Sequence, residues 1–161
     1  MTKEKSPATQ AIRVLRAQNA EFSIHAYRYE DKGGTSVASQ ELNVNEYNVI
    51  KTLVMEDEEG AAFLVLMHGD KKVSTKGLAR FLGVKSVTSC EPDKAYNLTG
   101  YFVGGISPFG TKRKLRVYIE STILDLETIY INAGKRGLLL AMKPNYLSDI
   151  LKPIPVQVAI S

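Results

Sequence analysis

The run Ala61-Ala-Phe-Leu-Val-Leu-Met-His68 is apolar on both faces of an extended chain. A strand of that kind reads as the centre of a sheet, with apolar cover above and below it. Before it, Val49 to Met55 is a second strand, joined across the acidic turn Glu56-Asp57-Glu58-Glu59-Gly60. The rest of the pattern fills in around this pair. Ser6-Pro7 reads as N-cap and first position of a helix ending near Asn19, with Ile12 and Leu15 on one face. Phe22 to Tyr29 alternates, with Phe22, Ile24 and Ala26 on one side and Ser23, His25, Tyr27 and Tyr29 on the other. Thr35 to Asn43 is a short helix. Ser74 or Thr75 caps another that carries Leu78, Phe81 and Leu82 and stops at Gly83. A strand near Ser86 to Ser89 and a helix from about Glu91 to Leu98 follow. Strands near Leu115 to Glu120, Thr128 to Asn132 and Leu138 to Met142, a helix after Pro144 and a last strand, Val156 to Ile160, complete the chain. Strands outnumber helices, and hairpins mix with helical crossovers, which predicts one mixed α/β domain over residues 1–161.

One stretch stands apart from this framework. Thr99-Gly-Tyr-Phe-Val-Gly-Gly-Ile-Ser-Pro-Phe-Gly110 begins with a short strand signal, Tyr101 to Val103, and runs into Gly104 and Gly105. Paired glycines allow positive φ and let backbone N–H groups approach a ligand that a Cβ would hold off. Pro108 stiffens the loop. The densest basic run of the chain follows: Lys112, Arg113, Lys114, Arg116. On spacing alone two readings stay open, a seat for a carbonyl or phosphate oxygen and an ordinary turn with a solvated basic strand after it.

Lys51 is the second anomaly. It is the one charge between Glu46 and Glu56, and in strand geometry it shares a face with Val49 and Leu53. Lysines are seldom buried unless paired or used, although a long stem can also carry the ammonium out to water. Other chemistry fails inspection. His25 and His68 have no ligand-spaced partner, and no metal or cofactor is expected. Cys90 has no CxxC partner and reads as a small semi-buried side chain. Gly105 to Phe109 departs from GxSxG at its last position, which weakens Ser107 as a nucleophile. The turn Gly134 to Gly137 is too short for an NTPase phosphate loop. Any hydrolysis therefore needs positioning and an oxyanion site rather than a protein nucleophile.

Bulk properties fit a protein of the cytoplasm. Residue number, 161, suits one core without metals or disulfides. The single cysteine suits a reducing compartment. The polar start lacks a signal-peptide core, and no apolar run is long enough to span a membrane. A net charge of +4 permits a polyanionic partner without demanding one.

Three blocks in order, VIKTLV near residue 51, TGYFVGGISPFGTKRKL and TIYINAGKRG, resemble the YbaK family of aminoacyl-tRNA deacylases. These are free-standing relatives of the editing domain of bacterial prolyl-tRNA synthetases. The resemblance runs from about Pro7 to Leu151. It implies a curved, barrel-like mixed sheet with helices packed outside, and removal of a wrongly attached amino acid from tRNA, with Cys-tRNA(Pro) as the model substrate. In cysteine-specific members the substrate thiol attacks its own ester carbonyl and leaves as a cyclic thiolactone. By position, the resemblance makes Lys51 the anchor of the reacting end and Gly104 the donor to the carbonyl oxygen. Tyr27, Gly105, Ile106, Ser107, Asn132 and Leu139 would form the substrate pocket. Lys112, Arg113 and Lys114, with Lys135 and Arg136, would hold tRNA phosphates, although a solvated strand edge remains an equal reading of that run. The partners implied are tRNA and, as a candidate, prolyl-tRNA synthetase.

This chain also departs from the cysteinyl members. Asn132 followed by Ala133 stands where they carry Ser before Gly-Gly-Lys-Arg-Gly, Leu139 stands where they carry Asp, and a pocket aromatic near Gly34 has no counterpart. Leucine for an acid removes charge and adds apolar bulk, which predicts a remodelled pocket and puts cysteine as the substrate residue in question. A non-catalytic module that binds a tRNA end or a nucleotide is the rival reading.

Overall fold

A computed structural model describes residues 8–161. Helix α1 (Gln10–Ala17) is followed by β1 (Phe22–Ala26), α2 (Gly34–Leu42), β2 (Val49–Asp57) and β3 (Ala62–His68). Then come β4 (Lys72–Val73), α3 (Thr75–Leu82), β5 (Val87–Ser89), α4 (Pro92–Thr99) and β6 (Val117–Glu120). The chain ends with β7 (Ile129–Lys135), β8 (Leu138–Met142), a π-helical turn at Leu147–Leu151, β9 (Ile154–Val156) and β10 (Ala159–Ile160). Eight of the strands form one mixed sheet in the order β1-β8-β7-β2-β3-β6-β9, with β5 added on β2. Pairs joined by hairpins, such as β2 with β3 and β7 with β8, are antiparallel, whereas β2 with β7, β3 with β6 and β6 with β9 are parallel.

The apolar run on β3 is central, as its sequence demands. Leu64 and Leu66 face a core shared with Ile50, Val54, Val117, Ile119 and the buried stripe Ala11, Ile12 and Leu15 of α1. Phe63, Val65 and Met67 face a second core built with Leu78 and Ala79 of α3, Val87, Tyr118 and Val156. A strand so covered withdraws nearly all its apolar area from water, at about 25 cal/mol per Å².

Local signals set the helix ends. Ser74 Oγ accepts the Gly77 N–H at 3.1 Å and Gly83 closes α3 in the left-handed region at φ 72°. The Ser6-Pro7 start lies outside the described residues; helix α1 begins at Gln10, where Thr9 Oγ1 accepts the Ile12 N–H. Two strand expectations are corrected. Tyr101 to Val103 is loop, because Thr99 Oγ1 accepts the Tyr101 N–H, the Tyr101 hydroxyl donates to the Phe109 carbonyl at 2.6 Å, and Gly105 N–H donates to the Phe102 carbonyl. Val156 to Ile160 is not one strand. The buried carboxylate of Glu120 accepts N–H groups from Val158 and Ala159, breaking the run, so that β9 pairs with β6 and β10 with β4.

The sheet forks at β2. Its first residues, Val49 and Ile50, pair with β7, and its last, Met55 to Asp57, pair on the same edge with β5. Between them, among the described residues, Lys51 to Val54 have no ladder partner on that edge, apart from a bond from Cys90 N–H to the Val54 carbonyl.

Candidate active site

The fork opens into a cavity of about 570 Å³, a size that suits a small ligand or the reacting end of a large one. Strand β2 from Val49 to Val54 lines it, with α2 on one side and the β7–β8 hairpin and the glycine loop on others. Cys90, between β5 and α4, and Ala95 of α4 also line it.

Lys51 projects from β2 at the fork. It is half-buried, and burial pushes its ammonium below the usual lysine value, while Glu46 and Asp70 pull it back up. Its Nζ donates to the Gly69 carbonyl at 3.4 Å, an oxygen that Thr35 Oγ1 also reaches at 3.1 Å while donating to Glu46 at 2.7 Å. Gly69 fits there because a Cβ would lie 2.7 to 2.8 Å from Thr35 Oγ1 and from the Val49 and Glu46 carbonyls.

The glycine loop is clamped by the hairpin opposite. Asn132 Nδ2 donates to the Gly104 carbonyl at 3.0 Å, and its Oδ1 accepts from the Gly134 and Lys135 N–H groups within the bulge of β7. Arg136 Nε donates to the Val103 carbonyl at 2.9 Å, and its guanidinium lies 5.2 Å from the Tyr29 ring centre. Gly104 has φ 93°, and a Cβ there would stand 2.7 Å from the Tyr29 hydroxyl. Gly105 is packed against the Arg136 backbone at 2.8 Å from any added Cβ. With these bonds made, the Gly104 N–H has no hydrogen-bond partner among the described residues.

Of the residues marked in the sequence, Tyr27, Lys51, Gly104, Ile106, Asn132, Arg136 and Leu139 converge on this cavity. Gly105 and Ser107 are buried behind its wall rather than in it, and Ser107 Oγ is occupied by the Phe109 N–H. Lys112, Arg113 and Lys114 lie outside it on an exposed loop, and Lys135 is exposed on the hairpin. Tyr27 is half-buried, with its phenol pushed up by burial, against the cluster of Ala38, Val49 and Leu139. Asn132 and Leu139 are direct cross-strand partners, so the two departures seen in the sequence are one change in space.

Sequence reading missed several lining groups. Tyr29 carried a signal, since it alternates onto the same side as Tyr27. Cys90 lines the cavity, and burial, followed by the charge of Glu56, raises its thiol, which disfavours the thiolate. Thr52 carries no sequence signal beyond its place beside Lys51. Its Oγ1 is buried with no hydrogen-bond partner among the described residues.

Comparison with known proteins gives the arrangement a lineage. Residues 30–150 match the family model of the aminoacyl-tRNA editing domain. The chain is 25% identical over 152 residues, 93% of each chain, to an Enterococcus faecalis protein named "Putative Cys-tRNA(Pro)/Cys-tRNA(Cys) deacylase EbsC". It is 32% identical over 106 residues to the proline--tRNA ligase of Thermodesulfovibrio yellowstonii, covering 66% of this chain and 18% of that enzyme. It also shares its fold with a solved structure titled "Crystal structure of a putative trans-editing enzyme for prolyl tRNA synthetase", at TM-score 0.82 and 21% identity over 97% of this chain and all of that one. The match covers most of the chain, the sheet fork, most of the lining of the cavity and the glycine loop included, and this chain belongs to the aminoacyl-tRNA editing domain family.

Proposed function

We propose that the chain is a free-standing aminoacyl-tRNA deacylase, which cleaves the ester of a mischarged tRNA in the cavity at the fork. The observation that carries this reading is a main-chain N–H at Gly104, unpartnered among the described residues, on the same cavity as the half-buried ammonium of Lys51. An aminoacyl ester is already activated and needs chiefly to be held and polarised. The Gly104 N–H would donate to the carbonyl oxygen as negative charge builds on it, and Lys51 would fix the esterified ribose end. A nucleophile then adds to the carbonyl carbon and the bond to the ribose oxygen breaks. When the nucleophile is water, the products are the free amino acid and tRNA bearing a ribose hydroxyl. When it is the substrate's own thiol, the amino acid leaves as a thiolactone.

Specificity follows from the paired departures. Leu139, 4% exposed, lies in an apolar cluster with Ala38 and Val49, at the position where the resemblance to the cysteinyl members implies an acid. This end of the cavity favours a small apolar side chain over one that needs a charged neighbour. Lys112, Arg113, Lys114 and Lys135 would contact phosphates, whereas Arg136, tied to Val103 and Tyr29, would chiefly position the loop. Prolyl-tRNA synthetase is a candidate partner, and the cytoplasm the place of action. The test is a panel of tRNAs charged with Cys, Ala, Ser, Thr and Pro. Release of at least one by catalytic amounts of protein is expected. Release of none at micromolar protein would favour the binding-module reading, to which the changes at Asn132 and Leu139 lend their weight.

A further inference from the structure

Tyr96 and Phe102 form an exposed aromatic step beside the cavity. Tyr96 stands on α4 and Phe102 in the loop after it, with their rings stacked at 4.6 Å between centres and 24° between planes. Phe102 keeps 63% of its surface exposed and Tyr96 41%. Phe102 is backed by one ring and open to solvent, yet its backbone is fixed on both sides. Tyr101 before it is buried, and the Phe102 carbonyl accepts the Gly105 N–H at 2.8 Å. A rigid ring with an open face is suited to receive a further flat group at low entropic cost.

Two neighbours say which flat group. The residues that follow Phe102, Val103 and Gly104, line the cavity, and consecutive Cα atoms are about 3.8 Å apart, so the step adjoins the reacting centre. The basic run also lies against the end of α4. The Lys112 N–H donates to the Thr99 carbonyl at 3.1 Å and the Arg113 N–H to the Leu98 carbonyl at 2.8 Å, with both side chains exposed. Uncovered aromatic faces flanked by cations are what unpaired nucleic acid requires: the rings take bases and the cations take phosphates.

We propose that Phe102, backed by Tyr96, stacks an unpaired base of the tRNA 3′ tail next to the esterified ribose, with Lys112 and Arg113 on the flanking phosphates. The proposal deepens the deacylase reading and rests on it, because it needs the ester to sit at Gly104.

The experiment compares binding of an intact uncharged tRNA transcript with binding of the same transcript lacking its unpaired 3′ nucleotides. Both are titrated by fluorescence anisotropy into wild type, Phe102→Ala and Phe102→Trp. Phe102→Ala should weaken intact tRNA about tenfold and leave the trimmed tRNA unaffected, while Phe102→Trp restores the intact affinity. Deacylation should show the loss in KM rather than in kcat. An equal loss on both transcripts, or none, overturns the platform; unmoved affinities would also be the result if a protein partner covers this patch. The deacylase reading fails separately. A wild type that strips no charged tRNA but still shows the selective loss keeps the platform and loses the enzyme. A wild type that strips charged tRNA without the selective loss keeps the enzyme and loses the platform, and one that neither strips nor binds tRNA loses both.

Discussion

Lys51 is the residue whose position stability explains least. Its sequence signal was legible because a lone charge interrupts an apolar strand, and the structure adds the reason a cavity opens there: among the described residues β2 has no ladder partner along part of one edge. Burial lowers the pKa of the folded-state ammonium below 10.5. The charged form is therefore held at a cost at any pH below that lowered value, and the cost lifts as pH rises through the window up to 10.5. Lys51→Met should accordingly melt at or slightly above wild type at neutral pH, a margin that closes in alkaline solution. Deacylation should fall on the order of 10², as when a donor to a developing oxyanion is deleted. Melting curves and single-turnover rates on one preparation decide it; full activity removes Lys51 from the chemistry, and a large drop in melting temperature makes it structural. Thr52, the next residue, was not legible, because nothing in a sequence shows that a hydroxyl will be buried without a partner.

At the scale of elements, what was legible had local causes. The ends of α3 were readable from Ser74 and Gly83 because caps act within a turn. The break between β9 and β10 was not, because its cause is Glu120, far away in the chain. Tyr101 to Val103 looked like a strand from composition, but bonds to Thr99 and Phe109 curl it into a loop. The β7–β8 hairpin carries a similar lesson for function. Asn132 and Leu139 were two separate oddities in the sequence, and only their cross-strand register makes them one. Changing both, Asn132→Ser with Leu139→Asp, should raise the ratio of Cys-tRNA to Ala-tRNA cleavage, and more than the sum of the single changes. Leu139→Asp alone buries a carboxylate in an apolar cluster, at a cost of at least about 2 kcal/mol, or roughly 4–8 °C of melting temperature for a chain this size. A wild type that already strips cysteine with strong preference over alanine would refute the remodelled pocket.

Over the whole molecule the charge is mild, yet its basic run is placed at the end of α4 from which the glycine loop departs. Long-range order of that kind is invisible in a sequence, because it depends on which loop returns to which helix. If Lys112, Arg113 and Lys114 meet phosphates, tRNA affinity should fall steeply with salt. Replacing all three with Ala should reduce the log–log slope by about 0.7 to 0.9 for each phosphate no longer neutralised, with the melting temperature little changed. An unchanged slope would leave the run as a solvated edge.

The clamp on Gly104 has an evolutionary corollary. The group proposed to polarise the ester is a peptide N–H, and the fork that opens the cavity is made by strand pairing, so neither is written in a side chain. The residues proposed to decide what is admitted, Tyr27, Ala38 and Leu139, come from separate parts of the chain. Chemistry and selectivity are thereby inherited on different terms. Substitutions in the lining away from Lys51, the two glycines and their clamp would spare the first, while one or two suffice to redirect the second, so descendants of this scaffold can change clients without reinventing a reaction.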